Sequence, residues 1–217
     1  MKQLIELNKG IEELVLPGFQ EHDALWFGED KHITYKKLAD SIVFRFPSVK
    51  SVLEIGSGAG SLAYWIKKNK PSITIVTLDG NKKTVNSPYI DKDNHFIVRT
   101  DEPYILSDDE AGTPFEFDLI VSFEHFEHIQ PETFGVFLDN IKLHSHNDTV
   151  IIASASNWKY PPPNEHVHCN VKKKEEWYQY LANNGFQLLD RPPMANSDNV
   201  PFNFQLHLTT QFAFKKR

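Results

Sequence analysis

Hydrophobic and polar positions along this chain follow two different periods, one typical of strands and the other typical of helices. Short runs that are continuously apolar or strictly alternating predict strands at 52–55, 72–78, 96–99, 117–123, 149–153, 186–189 and 205–214. Runs with apolar residues three or four positions apart predict helices at 2–16, 34–46, 60–69, 131–143 and 172–184. Thr34 stands where the second of these helices would be N-capped.

The order of these elements indicates how they pack. Strands alternate with helices through residue 154, which predicts right-handed crossovers and a mostly parallel sheet with helices on both faces. After residue 154 this regular alternation of strands and helices ends, and the last two strands predict an antiparallel hairpin. We therefore expect an α/β fold in a single domain, with seven strands of which the C-terminal one is antiparallel. Residues 1–48 are predicted to form an N-terminal helical cap, and residues 49–217 the core.

Composition limits the class of protein and the cellular compartment that we expect. At 217 residues the chain fits one domain with a core of its own, and its single cysteine, Cys169, excludes an internal disulfide. No apolar run approaches the roughly 20 residues that cross a bilayer, and the first residues are too charged for a signal peptide. We expect a cytoplasmic protein without a membrane partner. The formal net charge of −6 argues against a large nucleic-acid footprint without excluding nucleic acid, and the sequence leaves the oligomeric state open.

The period changes from strand to helix across the segment GSGAG, residues 56–60. Three glycines within five residues, just before a helix, present backbone N–H groups with no Cβ atoms in the way, so a ligand can lie directly on the backbone. A P-loop would continue with Lys-Ser or Lys-Thr after Gly60, but Ser61 and Leu62 follow. The dinucleotide fingerprint would require a third glycine where Ser61 stands.

The spacing Glu54-x-Gly56-x-Gly58-x-Gly60 resembles motif I of the class I S-adenosylmethionine-dependent methyltransferases. A second segment, FDLIVSFEHFEHI from Phe117 to Ile129, is similar to the region that follows the fourth strand in many members. The residues of this segment that match are Asp118, Glu124, Glu127 and His128. The resemblance covers roughly residues 50–189 and implies a Rossmann-like fold with S-adenosylmethionine as cofactor.

The resemblance also assigns residues to the cofactor. Asp79 follows the second strand about 20 residues after the glycines, where a carboxylate can accept both ribose hydroxyls, although an NAD enzyme would place one there too. Asp101, after the third strand, corresponds to the acidic residue that takes the adenine amino group. The predicted cofactor-binding residues are Glu54, Gly56, Ser57, Gly58, Gly60, Asp79, Gly80, Asp101 and Glu124.

Histidines concentrate where an acceptor substrate would bind. Methyl transfer is an in-line displacement on an activated carbon, so the protein must mainly align the acceptor and take its proton. Six of the ten histidines lie between His125 and His168, in the segments after the fourth and fifth strands. The candidate catalytic residues are His125, His128, His166 and His168. We interpret His144 and His146, in the turn before the fifth strand, as surface residues.

Glu124, Glu127 and His128 stand at positions i, i+3 and i+4, which share one face if the segment is helical. Together with His166 or His168 they can hold a divalent cation. A similar Glu-x-x-Glu-His pattern occurs in small-RNA 2′-O-methyltransferases. Related carboxylate–histidine metal sites are reported for ubiquinone-biosynthesis O-methyltransferases. The predicted metal ligands are Glu124, Glu127, His128 and His168. The alternative is a polar helix start near the cofactor, with a histidine as general base.

These observations predict a methyltransferase that acts on an oxygen or nitrogen of a small or medium-sized acceptor. The proline-rich loop at residues 155–170, with Trp158 and Tyr160, is expected to form a wall of the substrate site. Three alternatives stay open: a metal-assisted RNA 2′-O-methyltransferase, a non-catalytic domain that binds S-adenosylmethionine or a partner protein, and an NAD-dependent dehydrogenase.

Overall fold

The computed structural model describes residues 5–6, 29–189 and 209–217. The predicted helix at 2–16 lies almost entirely outside these ranges. Ile5 and Glu6 are described, and there the helix prediction is wrong, because both belong to a short strand.

The described elements comprise nine strands, four α-helices and three 3₁₀ turns. The strands are β1 (Ile5–Glu6), β2 (Ser51–Ile55), β3 (Thr74–Asp79), β4 (His95–Ile97), β5 (Leu106–Ser107), β6 (Phe117–Ser122), β7 (Ser145–Ser156), β8 (Phe186–Leu188) and β9 (Thr209–Lys216). The helices are α1 (Glu29–Arg45), α2 (Ser61–Asn69), α3 (Phe134–Leu143) and α4 (Lys174–Asn183). The 3₁₀ turns are Lys82–Asn86, Lys92–Asn94 and Phe126–His128.

The main sheet has seven strands in the order β4-β3-β2-β6-β7-β9-β8, and a separate two-stranded sheet pairs β1 with β5. Strands β4, β3, β2, β6 and β7 are mutually parallel. β9 runs antiparallel to both β7 and β8, between which it is inserted. The predicted fold is therefore confirmed: a mostly parallel, Rossmann-like sheet with an antiparallel strand from the C-terminal end of the chain.

Two apolar cores cover the two faces of this sheet. On one face, Leu38 and Ile42 of α1 and Leu62 of α2 pack against Val52 and Leu119. On the other face, α3 and α4 bury a largely aromatic cluster. Its largest fully buried members are Phe117, Phe126, Phe134, Phe137, Trp177, Phe186, Phe212 and Phe214. β2 and β6 are buried on both faces, and their sequences are accordingly mostly apolar rather than strictly alternating, with Glu54 and Asp118 as the charged exceptions.

Local details differ from the sequence predictions in three places. α1 begins at Glu29, so Thr34 lies inside the helix and is not its N-cap. The segment after β6 is a 3₁₀ turn rather than a regular helix, and α3 begins only at Phe134. His144, interpreted as a surface residue, is fully buried.

Within the described ranges, every helix is too short or too polar to cross a bilayer.

Candidate active site

Four parallel strands bring the predicted site residues to one edge of the sheet. β2 ends at Ile55 just before the glycines, β3 ends at Asp79, β6 ends at Ser122 before the Glu/His segment, and β7 ends at Ser156 before the proline-rich loop. The carboxyl ends of parallel strands are where open α/β sheets bind ligands.

The glycine turn requires glycine for two distinct reasons. Gly56, Gly58 and Gly60 all have positive φ angles, of 73°, 52° and 73°, which side chains with a Cβ adopt only under strain. At Gly56 a Cβ would lie 2.6 Å from the ring of His125, and at Gly60 it would lie 2.5 Å from Ile90 Cδ1. At Gly58 it would meet nothing within 4 Å. The first and third glycines thus allow close packing, whereas the middle one leaves an open backbone surface.

The turn is held against β3 by backbone and carboxylate bonds. The amides of Gly56 and Ser57 both donate to the Leu78 carbonyl, at 2.9 and 3.0 Å. Asp79 Oδ2 accepts from the Gly58 amide at 2.7 Å, and Oδ1 accepts from the Asn81 amide at 2.8 Å. Burial raises the pKa of Asp79, while these two amide bonds act in the opposite direction. Asp79 therefore points at the glycine turn, with further lone pairs on each oxygen, and its predicted role at the ribose stays a prediction.

Ser57 provides evidence that the turn is shaped for a ligand. Its Oγ atom is buried and lacks a hydrogen-bond partner in the described part of the protein. Buried polar side-chain atoms nearly always have a partner. An unsatisfied hydroxyl beside the open backbone of Gly58 therefore fits a polar ligand such as S-adenosylmethionine. Gly80, the remaining glycine of the predicted set, follows Asp79 directly at the end of β3.

Glu54 has a structural role in addition to the predicted one. It is 6% exposed, and its Oε2 accepts from the amide of Ala63 in the first turn of α2 at 3.0 Å. Burial raises the pKa of Glu54 to about 8, with the Ala63 bond opposing the shift. Burial also raises the pKa of Tyr35 on α1, and the carboxylates of Glu54 and Glu124 add to the shift. Tyr35 thus lies near both acidic residues.

The carboxylate of Asp101 is paired with the guanidinium group of Arg99. Its carboxylate accepts from Arg99 Nε at 3.0 Å and from Arg99 Nη2 at 2.9 Å, and Thr133 donates to it at 3.1 Å. Burial is the largest single influence and would raise the pKa of Asp101, but the hydrogen bonds and charge of Arg99, together with the bond from Thr133, lower it overall. The role predicted for Asp101 at the adenine amino group stays a prediction, and Arg99 is a partner that sequence reasoning did not include.

His125 lies on the cofactor side of the site. Its ring packs against Gly56, and its Nε2 shares a 2.9 Å hydrogen bond with Thr100 Oγ1. Burial lowers the pKa of His125 to about 4, so the imidazole is neutral at neutral pH. This position favours a role in shaping the glycine turn over the predicted role as a base, which stays untested.

Glu124 does not belong to the closest group of predicted metal ligands, although its charge still acts on Glu127. It has a positive φ of 52°, and its Oε1 accepts a 2.6 Å hydrogen bond from Ser154 Oγ, which in turn accepts from the Glu124 amide at 3.0 Å. The three predicted ligands of this segment therefore do not share a helix face, and that part of the prediction is wrong. Ser154, on β7, is a partner without any local sequence signal.

Glu127, His128 and His168 form a compact group whose nitrogen and oxygen ligand atoms lie within 4.8 Å of one another. We call these three residues the Glu-His-His cluster. The imidazole rings of His128 and His168 are 4.8 Å apart, edge to face. His128 Nδ1 donates to the Val167 carbonyl at 2.7 Å, and His168 Nδ1 donates to the Trp158 carbonyl at 2.6 Å. Each ring therefore carries its acceptor lone pair on Nε2.

The electrostatics of the cluster are unusual. Glu127 is fully buried, and neither carboxylate oxygen has a well-aligned hydrogen-bond partner in the described ranges, although the backbone amides of Glu127 and Ser156 partly offset burial. Burial, followed by the charge of Glu124, raises the pKa of Glu127 well above its usual value. Burial lowers the pKa of His128 to about 3, assisted by His168, and burial also lowers the pKa of His168. Both imidazoles are thus neutral at pH 7.

The proline-rich loop forms one side of this region. Tyr160 packs edge-on against His168 with 4.7 Å between ring centroids, and the side chain of Trp158 is 48% exposed. His166 lies outside the Glu-His-His cluster, and its Nδ1 donates to Pro163 within the same loop at 3.0 Å. Of the two histidines considered in this loop, the structure thus places only His168 beside Glu127 and His128.

Comparison with known families gives a match over most of the chain. The family described as "Methyltransferase domain" matches residues 30–191. This range includes the glycine turn, Asp79, Asp101 and the Glu-His-His cluster. Among curated proteins, no sequence match was found.

Solved structures show the same fold at low sequence identity. An S-adenosylmethionine-dependent methyltransferase from Clostridium acetobutylicum ATCC 824 superposes with a TM-score of 0.62 at 11% identity, covering 91% of this chain and 96% of that one. The plantazolicin methyltransferase BpumL, in complex with S-adenosylhomocysteine (SAH) and a desmethyl-plantazolicin analogue, gives 0.63 at 12%, covering 93% and 92%. The glycopeptide N-methyltransferase MtfA, with S-adenosylmethionine, gives 0.57 at 9%, covering 84% and 94%.

Proposed function

Because this chain belongs to the methyltransferase-domain family, we propose that it transfers a methyl group from S-adenosylmethionine to an oxygen or nitrogen of a small or medium-sized acceptor. The observation that carries the proposal is the open backbone at Gly58, bordered by the unsatisfied Ser57 hydroxyl and by Asp79. A cofactor with ribose hydroxyls and a charged amino-acid end matches these groups chemically.

The residues that would hold the cofactor divide into backbone and carboxylate groups. The amides of the glycine turn and the Ser57 hydroxyl supply polar contacts, and Asp79 accepts the ribose hydroxyls. Glu54 and Glu124, both near Tyr35, place carboxyl groups beside the turn, and a ligand that carries positive charge would favour their ionised forms. When bound, S-adenosylmethionine supplies an activated methyl group on a positively charged sulfur.

The chain's own contribution to the reaction is alignment and proton removal. The Glu-His-His cluster lies at the same strand edge as the glycine turn, and its neutral imidazoles direct their Nδ1 protons to backbone carbonyls. The Nε2 lone pairs are therefore the groups that can accept a proton or bind a ligand. Trp158 and Tyr160 border this region and favour an acceptor with a planar apolar part.

Calorimetry with SAH and NAD tests the proposal directly. We expect SAH to bind and NAD to give no heat, because the turn lacks the glycine that a dinucleotide site requires. NAD binding without a response to SAH would refute the proposal. Incubation with labelled S-adenosylmethionine and a set of phenols, amines, peptides and RNA would identify the acceptor. Binding of SAH without transfer to any of them would favour the non-catalytic alternative.

Replacing Asp79 by asparagine provides a residue-level test. The loss of charged hydrogen bonds to the ribose should weaken SAH binding by about 10- to 100-fold. Asp118→Asn is the matched control, because Asp118 binds the amides of Lys50 and Ser51 at the opposite end of the strands. Equal SAH affinity in the two variants would contradict the assignment of Asp79.

A further inference from the structure

We propose that Glu127, His128 and His168 form a binding site for one divalent cation of the class that prefers imidazole ligands, with Zn²⁺ as its representative. The first observation is geometric. Three potential ligand atoms from two separate segments, the turn after β6 and the loop after β7, lie within 4.8 Å of one another. Ligand atoms about 2 Å from a common metal centre would be separated by distances of this order or shorter.

The second observation is the buried carboxylate of Glu127. The side chain is fully buried, and both oxygens lack well-aligned hydrogen-bond partners within the described ranges. The backbone amides of Glu127 and Ser156 only partly offset this burial, and a buried carboxylate without a counter-charge is strongly unfavourable in its charged form. A dication bound between this carboxylate and the two imidazoles would supply the missing counter-charge. Glu127 is the only carboxylate in the described ranges whose two oxygens are both buried and without a well-aligned hydrogen-bond partner.

The third observation is the orientation of the imidazoles. His128 and His168 each donate Nδ1–H to a backbone carbonyl, at 2.7 and 2.6 Å, and these bonds hold the neutral tautomer with the lone pair on Nε2. Metal-binding histidines almost always donate their other ring proton in this way. The carbonyl bonds therefore prepare both rings as ligands before an ion arrives.

The ligand set also indicates which cation would bind. Two imidazoles and one carboxylate suit Zn²⁺ and similar transition metals, whereas Mg²⁺ and Ca²⁺ prefer sets made of oxygen ligands only. Glu124, which would have added a second carboxylate, is bound to Ser154 and lies outside the cluster. The site therefore has three protein ligands rather than the four predicted from the sequence, which leaves room for a further ligand.

The consequence for catalysis rests on the proposed function. A cation at this position would lower the pKa of an acceptor hydroxyl placed next to it. The hydroxyl proton would leave to water, and the oxygen would form its bond to the methyl carbon as the carbon–sulfur bond breaks, releasing SAH. The inference thus narrows the acceptor class to a hydroxyl compound.

Metal binding to the purified full-length chain tests the site independently of activity. After chelation and removal of the chelator, Zn²⁺ titration should show one ion per chain, and Co²⁺ should produce visible absorption bands of a low-symmetry site. Glu127→Gln and His168→Asn should each weaken Zn²⁺ binding by at least about 100-fold, since even the loss of a neighbouring orienting group costs about 10- to 100-fold. His166→Asn, in the same loop but outside the cluster, should leave Zn²⁺ affinity unchanged.

The outcomes separate this inference from the proposed function. Absence of Zn²⁺ binding at micromolar concentration, or unchanged affinity in Glu127→Gln or His168→Asn, would overturn the site.

Thermal unfolding gives a second readout. In chelated protein Glu127→Gln should unfold at the same or a higher temperature than the wild type, whereas Zn²⁺ should stabilise only the wild type. Should Glu127→Gln fail to fold by circular dichroism, the comparison of His168→Asn with His166→Asn decides. SAH binding, measured on the same samples, reports on the proposed function alone.

Discussion

Replacing Glu54 by glutamine isolates the effect of one buried carboxyl group on the pH dependence of stability. Glu54 is 6% exposed and its Oε2 accepts the amide proton of Ala63. A glutamine of nearly the same shape can keep that hydrogen bond through its carbonyl oxygen but cannot ionise. The difference in stability between the two proteins therefore reports mainly on the charge of Glu54.

The magnitude follows from the pKa shift. Burial raises the pKa of Glu54 from 4.5 to about 8 in the folded protein. Between these two values the folded protein holds a proton that the unfolded chain has released, so the free energy of unfolding decreases as pH rises. The slope is about 1.4 kcal/mol per pH unit. Between about pH 5.5 and about pH 7.5 this one carboxyl group should lower the stability of the wild type by about 2–3 kcal/mol.

Urea unfolding followed by tryptophan fluorescence at several pH values between these limits provides the assay. The stability of Glu54→Gln relative to the wild type should increase by about 2–3 kcal/mol between the acidic and the basic end of this range. Glu165→Gln, at an exposed loop carboxylate, controls for the general loss of a negative charge. Parallel curves for wild type and Glu54→Gln across the whole range would refute the assignment of a raised pKa to Glu54.

Three further substitutions test the packing around the site. Gly56→Ala combines a positive φ with a Cβ that would lie 2.6 Å from the His125 ring, so we expect a loss of about 3 kcal/mol in urea unfolding. Gly58→Ala meets no neighbour within 4 Å and should cost only about 1 kcal/mol, yet weaken SAH binding in calorimetry; equal stability losses in the two variants would contradict this distinction. Phe126→Ala removes a fully buried ring and should cost about 3–5 kcal/mol in the same unfolding assay, so a loss below about 1 kcal/mol would show that the ring is not a core residue.

The sheet could be predicted from the sequence because its central strands are buried on both faces. β2 and β6 are mostly apolar without strict alternation, and such runs between glycine or polar turns are typical of buried parallel strands. β7 was predicted too short, since its ends, Ser145–Asp148 and Ser154–Ser156, are polar. The Ser154–Ser156 end is held by pairing with β9, a partner more than fifty residues further along the chain, which leaves no trace in the local pattern.

The wrong prediction of a shared helix face for residues 124–128 has a similar cause. The spacing of Glu124, Glu127 and His128 predicts a shared helix face, but Glu124 adopts a positive φ and the 3₁₀ turn begins only at Phe126. Packing of Phe126 against the rings of Phe137 and Phe134, at 5.2 and 5.3 Å, accounts for the difference, because tertiary burial overrides local propensity.

His144 shows the same limitation for a single residue. In the sequence it resembles a surface histidine in a turn, yet it is fully buried and stacked on Tyr104 at 5.5 Å. Its Nδ1 donates to the Phe115 carbonyl, and its Nε2 accepts from the Leu106 amide. These partners lie 29 and 38 positions away in the sequence, so the histidine is satisfied by contacts that a local pattern cannot contain.

The short segment after β6 connects the two halves of the site. His125 packs against Gly56 of the glycine turn, Phe126 is anchored in the aromatic core, and Glu127 and His128 belong to the Glu-His-His cluster. Consecutive residues thus contact the glycine turn, the aromatic core and the Glu-His-His cluster. Because one buried ring sets the position of both neighbours, Phe126→Ala should weaken SAH binding and Zn²⁺ binding together. A loss confined to one of the two ligands would show that the halves of the site are positioned independently.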